Sequence, residues 1–244
     1  MRGEHGRMTT TLIVESRFCG PPESGNGGYS AGLLAAHLDP GVDGAVEVTL
    51  RAPVPLDRPL DVVIVDAGAE LRAADTIVAA ARIVPFACAV QPSVDFETAT
   101  ALAAASPMLR APEDHPFPGC FVCGPGREVG DGMRLFPTRV PGRDTYAVAW
   151  TPDDVEPPLV WGALDCPSSY PMYLEEDPFE GPAVLGRMTA QIRRLPERGS
   201  PCVVMSWREA VEGRKMFTAS ALYDADGTAI ASARATWIRI APTP

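Results

Sequence analysis

Two stretches of this chain constrain its fold more than anything else: Gly25 to Leu38 (GNGGYSAGLLAAHL) and Val160 to Pro171 (VWGALDCPSSYP). Each combines small residues with apolar ones and reads as a helix that another backbone can approach closely. Each is followed by β-branched runs joined by hairpin-length gaps. The order of strand, small-residue helix and three or four strands occurs twice, which describes a duplicated α+β protein with antiparallel sheets. The second stretch holds Asp165, a carboxylate in apolar surroundings. Burying an ionised carboxylate is unfavourable unless it is paired, so Asp165 has either a partner or a use.

In chain order, Thr9 to Phe18 predicts a first strand, and the turn CGPPESG (Cys19 to Gly25) ends it. Asn26 or Ser24 caps the first helix, Leu33, Leu34 and Leu38 form its stripe, and Asp39-Pro40-Gly41 stops it. Strands are expected at Ala45–Leu50, Leu60–Ala67 and Thr76–Val84, with Gly68–Asp75 spanning the last gap. Residues 91–118 read as a linker with a short helix at Phe96–Ala105, separating an N-terminal unit, 1–90, from a C-terminal unit, 119–244. The second unit opens with CFVCGPGREVGDGMRLFP and a strand at Thr145–Trp150. A helix at Trp161–Leu174 follows, then strands at Ala183–Arg193, Cys202–Glu209, Lys215–Tyr223 and Thr228–Ile240. Short matches recur in the same order: Gly28 with Gly162, Val48-Thr49 with Met188-Thr189, and VAAAR (Val78–Arg82) with IASAR (Ile230–Arg234).

A formal net charge of −10 and a pI near 4.8 argue against general affinity for nucleic acid or an anionic membrane. No apolar run approaches the length of about 18 residues that a membrane helix needs, and no charged-then-apolar leader is evident, so a cytoplasmic protein is expected. The six cysteines then read as free thiols or ligands rather than a disulfide framework. GxSxG, a phosphate loop and a dinucleotide fingerprint are all missing, and there are only three histidines, which speaks against a Ser-His-Asp or Cys-His mechanism. Cys120-x-x-Cys123 is the rival motif. Two thiolates at that spacing make half of a zinc site, with His115 and Cys166 as third and fourth ligands. The preferred reading is small buried cysteines in a tight turn, with no metal and no cofactor.

The motifs GNGGYSAGLLA, WGALDCPSS and YDADGTAIASARATWI, spread over residues 9–240, resemble the hotdog fold of acyl-CoA thioesterases and dehydratases. Two such units in one chain resemble the double hotdog of the thioesterase-like superfamily, in which two antiparallel sheets each wrap around a central helix. The resemblance implies hydrolysis of an acyl-CoA or similar thioester, with Asp165 as general base or nucleophile. The backbone around Gly27 to Tyr29 would polarise the carbonyl. Asn26, Gly27, Gly28, Tyr29, Trp161, Gly162, Ser168 and Ser169 would bind substrate. Ala31 stands where the other half would carry its acid, so one site per chain is expected. Exposed sheet edges allow further pairing into a homo-oligomer.

The chain departs from the medium-chain members of that family: Ala235 falls where a glutamine that orients water would stand, and the accompanying threonine has no clear counterpart near Arg208 to Arg214. The shortage of histidines also speaks against the dehydratase branch. A non-catalytic hotdog that holds an acyl chain or other apolar ligand is the alternative function. Asp165 itself has a second reading, as a helix cap or an acid held by N–H groups and the hydroxyls of Ser168 or Ser169. Tyr29, Trp161, Tyr170 and Tyr173 line an acyl tunnel or belong to the core. Arg187, Arg193, Arg194, Arg214 and Lys215 face either coenzyme A phosphates or solvent.

Overall fold

The runs with alternating apolar residues become strands because one face of each is buried against helices. The computed structural model describes residues 9–172 and 181–240. The first half supplies β1 (Thr9–Leu12), α1 (Gly27–Ala35), β2 (Gly44–Leu50), β3 (Leu60–Val65), β4 (Gly68–Ala73) and β5 (Thr76–Pro85). The link carries α2 (Phe96–Ala104) and the single turn α3 (Pro107–Arg110). The second half adds β6 (Thr138–Arg139), β7 (Tyr146–Trp150), α4 (Pro157–Ser169), β8 (Ala183–Ile192), β9 (Cys202–Glu212), β10 (Lys215–Tyr223) and β11 (Ala229–Arg239). Among the described residues no helix is long and apolar enough to cross a membrane.

Three local expectations need correction. Gly68–Asp75 is a strand with its turn rather than a gap: Ala69 and Leu71 are buried, and the glycine that reads as a breaker starts β4. The first strand ends at Leu12, and Ser16–Phe18 is a 3-10 turn. The second helix begins at Pro157, because proline is favoured in a first helical turn where its missing N–H has no intrahelical acceptor. Asp165 therefore sits in the third turn of α4, too far along to cap its own helix. Of the predicted helix end, Tyr173 and Leu174 lie outside the described residues.

The expected pair of sheets is instead one antiparallel sheet of 11 strands, in the order β1-β3-β4-β5-β2-β8-β11-β10-β9-β7-β6. The halves fuse because β2 and β8 pair from Val46↔Ala190 to Thr49↔Arg187. The repeat matches fall at equivalent places on either side of this seam: Val48 pairs with Met188, VAAAR lies in β5 and IASAR in β11. Helices α1 and α4 lie side by side on one face of the sheet, sharing a core that includes Leu34, Val48, Leu164 and Met188. On the other face α2 covers the second half, burying Ala99 against Ala147, Val203, Met205 and Ala219. The Phe96–Ala105 helix is thus part of the packing and does more than connect.

Candidate functional site

Helices α1 and α4 cross in near contact because their facing residues are small. A Cβ added to Gly28 would stand 2.3 Å from Cβ of Asp165 and 2.7 Å from the Trp161 carbonyl oxygen. One turn on, a Cβ on Gly32 would meet Cα of Pro158 at 2.7 Å. This approach brings the start of α1 against the middle of α4. Asn26 caps α1 by accepting the Tyr29 N–H on Oδ1 at 2.9 Å. Asp165, 137 residues away in sequence, caps it a second time: its Oδ2 accepts the Gly28 N–H at 2.7 Å.

The other carboxylate oxygen, Oδ1, finds no hydrogen-bond partner among the described residues, and the side chain is fully buried. Burial pushes the Asp165 carboxyl up to about 8; the Gly28 N–H pulls it down, and negative charge on Cys120 adds to the rise. Such a carboxyl sits near the pH at which a general base works best.

The segment carrying Asp165 is held from outside the helix. Pro167 cannot donate to the carbonyl four residues back, which interrupts the helical ladder. Four serine hydroxyls donate to consecutive carbonyls around it: Ser220 to Leu164, Ser168 to Asp165, Ser169 to Cys166 and Ser206 to Pro167, at 2.7–2.8 Å. Ser206 and Ser220 are missed by sequence reasoning. Their signal is a small polar residue among apolar ones in each of two strands, CVVMS and TASAL.

Beside Asp165 lie three buried thiols. Cys120 and Cys123 come from the turn that opens the second half, and Cys166 from α4; their Sγ atoms lie within 4.8 Å of one another. The Asn26 amide Nδ2 donates to Cys166 Sγ at 3.3 Å and to Cys120 Sγ at 3.6 Å. Donation from Cys123 and Cys166 holds the Cys120 thiol well below the ordinary thiol range, and both donors are pushed well above it. The trio therefore favours one thiolate and resists a second.

These groups share the wall of a cavity of about 470 Å3, with Leu50, Val54, Leu185, Trp237 and Ile238 among its apolar residues. Of the catalytic and substrate-binding candidates read from the sequence, Asn26, Gly27, Asp165 and Ser169 line it. The Gly27 N–H has no acceptor among the described residues, whereas those of Gly28 and Tyr29 are engaged by Asp165 and Asn26. Tyr29 points elsewhere, stacked on Phe18 at 4.0 Å and edge-on to Phe121. Trp161 and Tyr170 are core residues, and Gly162 lies under Val122. Ser168 Oγ accepts the Trp237 indole N–H at 3.0 Å.

His115 is buried and lines the same cavity, with Nδ1 accepting the Phe117 N–H at 3.1 Å. Exposed Arg51 marks the mouth, with no ion pair among the described residues. By contrast, Arg187 and Arg194 are engaged on the sheet surface, with Thr49 and Asp224 respectively. Ala235 is buried in β11 between Thr218 and Met188, so no side-chain amide orients water there.

No family model matches the sequence, and no curated protein matches it. The fold does match solved structures. A hot dog fold protein of unknown function from Alicyclobacillus acidocaldarius aligns with a TM-score of 0.64 at 13% identity, over 99% of this chain and 96% of that one. The chain has the hotdog fold, present twice and joined in one sheet. Acyl-CoA thioesterase II TesB2 from Mycobacterium marinum aligns with a TM-score of 0.60, 12% identity and coverage of 96% and 94%. The dehydratase domain of a mycocerosic acid synthase-like polyketide synthase also aligns, with a TM-score of 0.61, 17% identity and coverage of 98% and 93%. In the double hotdog described here, the single acid of one central helix meets the start of the other. The pseudo-equivalent position, Ala31, is buried and apolar.

Proposed function

We propose that this double hotdog hydrolyses an acyl thioester, with Asp165 as general base and the Gly27 N–H as donor to the thioester carbonyl. The observation that carries the reading is the unpartnered Oδ1 of a fully buried Asp165 on the wall of an apolar cavity, beside the start of α1. Oδ1 takes the proton of an attacking water as the water oxygen bonds to the carbonyl carbon. The oxyanion that forms lies at the positive end of the α1 dipole, where the Gly27 N–H is free to receive it. Collapse breaks the C–S bond, and the proton held by Asp165 passes to the leaving thiolate. Leu185, Trp237 and Ile238 surround the acyl chain, and Arg51 faces the phosphates of a coenzyme A carrier at the mouth.

A second reading rests on His115, which lines the same cavity as Asp165, against the shortage of histidines that speaks against the dehydratase branch in the sequence. In that reading Asp165 and His115 together remove water from a 3-hydroxyacyl thioester.

One assay tests both readings: thiol release and enoyl-thioester formation from a panel of acyl-CoAs and 3-hydroxyacyl-CoAs, with wild type and Asp165→Asn. Hydrolysis predicts thiol release that falls by about 10²- to 10⁴-fold in the folded variant. Enoyl product without thiol release favours elimination, and no turnover on the whole panel refutes both.

A further inference from the structure

We propose that Cys120, Cys123 and Cys166 bind one zinc-class divalent cation as thiolates, with the fourth coordination position on the cavity beside Asp165. The inference goes beyond thioester hydrolysis and does not depend on it. A tetrahedral ion with Zn–S bonds of about 2.3 Å separates its sulfurs by about 3.8 Å. Cys120 Sγ and Cys166 Sγ already stand 3.7 Å apart. That spacing is far from the roughly 2.05 Å of a disulfide, and a disulfide would leave one of the three thiols over.

The turn that presents two of the sulfurs is built to hold them. Cys120 and Cys123 have the spacing of a metal-binding turn, closed by the Gly124 N–H donating to the Cys120 carbonyl at 2.9 Å. A Cβ on Gly124 would stand 2.4 Å from the carbonyl oxygens of both Cys120 and Pro118, so the tight turn has no room for a side chain there. The third sulfur is fixed by α4, whose carbonyls on either side of Cys166 are held by serines.

Two further observations point to a cation. The Asn26 amide is oriented by its bond from Tyr29, which aims Nδ2 at the sulfurs of Cys120 and Cys166. N–H donors to sulfur of this kind stabilise metal-bound thiolates from outside the ligand shell. Asp165 Oδ1 is buried without a partner, and its Oδ2 lies 4.0 Å from Cys166 Sγ. A carboxylate so placed has a use for a positive ion or for a water bound to one. Thiolate donors select zinc over magnesium or calcium, and three protein ligands leave one position for a water or a substrate oxygen. Binding displaces the thiol protons, which go to buffer.

The test uses the full chain, reduced and stripped of metal. Expected results are one equivalent of Zn2+ retained through gel filtration, and a Co2+ titration that saturates at one equivalent with thiolate-to-metal charge-transfer absorption. Cys120→Ser, Cys123→Ser and Cys166→Ser should each weaken binding by more than the roughly 10- to 100-fold that loss of an outer-shell partner produces. Asn26→Ser, which keeps the cap acceptor and withdraws the amide, should fall within that range, and Cys88→Ser should leave binding unchanged. The Co2+ spectrum of wild type needs no variant to fold. A reduced wild-type protein that takes up less than one equivalent, or a Cys166→Ser protein that binds like wild type, overturns the inference. Uptake is read without turnover, so an active protein that takes up no metal sinks only the metal site, and an inactive protein with one bound equivalent sinks only the hydrolase reading.

Discussion

Replacing Gly28 with alanine puts a methyl group into the crossing of α1 and α4. The new carbon would stand 2.3 Å from Asp165 Cβ, 2.7 Å from the Trp161 carbonyl oxygen and 2.9 Å from Asp165 Cγ. Carbon pairs rest at about 3.5–4.0 Å, so the helices must part by more than about 1 Å or one must shift. Overpacking of this kind destabilises by about 1–3 kcal/mol. Separation also stretches the Gly28 N–H bond to Asp165, a buried hydrogen bond to an acid that contributes about 1.5–3 kcal/mol when the acid is charged. Alanine's better helix propensity returns about 1 kcal/mol. The net expectation is a loss of about 2–4 kcal/mol in urea unfolding at unchanged m-value. Gly119→Ala is the control: an added Cβ there meets nothing within 4 Å, and it should stay within about 0.5 kcal/mol of wild type. If Gly28→Ala were as stable as wild type, the near contact of the helices, and with it the double capping of α1, would be refuted.

Burial lowers the pKa of His115 in the fold from 6.5. Because the neutral ring is the folded form, the His115 contribution to stability should fall as pH drops below about 6.5 and level off below the folded value, while Asp165, raised to about 8, contributes with the opposite sign and destabilises as pH rises toward that value. His115→Gln should remove that contribution, so that relative to wild type the variant gains stability as pH drops from about 8 to about 5 in urea unfolding; a pH profile parallel to that of wild type would remove His115 from the account. Arg51→Ala should raise KM for acyl-CoA several-fold with little change in kcat, and should leave KM for an acyl-pantetheine, which lacks the nucleotide phosphates, unchanged. An equal rise for both substrates would remove Arg51 from phosphate recognition.

Much of this protein was legible locally. Asn26 as a cap, the small-residue face of α1, the Phe96–Ala104 helix and the second-half strands follow from short-range periodicity and turn chemistry. The repeat was legible too, since VAAAR and IASAR mark β5 and β11. Local reading failed where a punctuating residue had a different task. Gly68 starts a strand, and Pro157 and Pro158 open α4, which moved Asp165 from a helix start to its third turn.

The sequence by itself determined the two central helices, the acid on one of them and the Cys120-x-x-Cys123 turn, because each depends on neighbours a few residues away. Only the tertiary structure decided that β2 and β8 join the halves into one sheet, since either edge has the alternation that any partner strand would satisfy. That seam sets α1 against α4. It thereby brings Gly28 to Asp165, Cys166 to Cys120 and His115 to the same cavity, contacts between distant residues that no periodicity in the chain encodes.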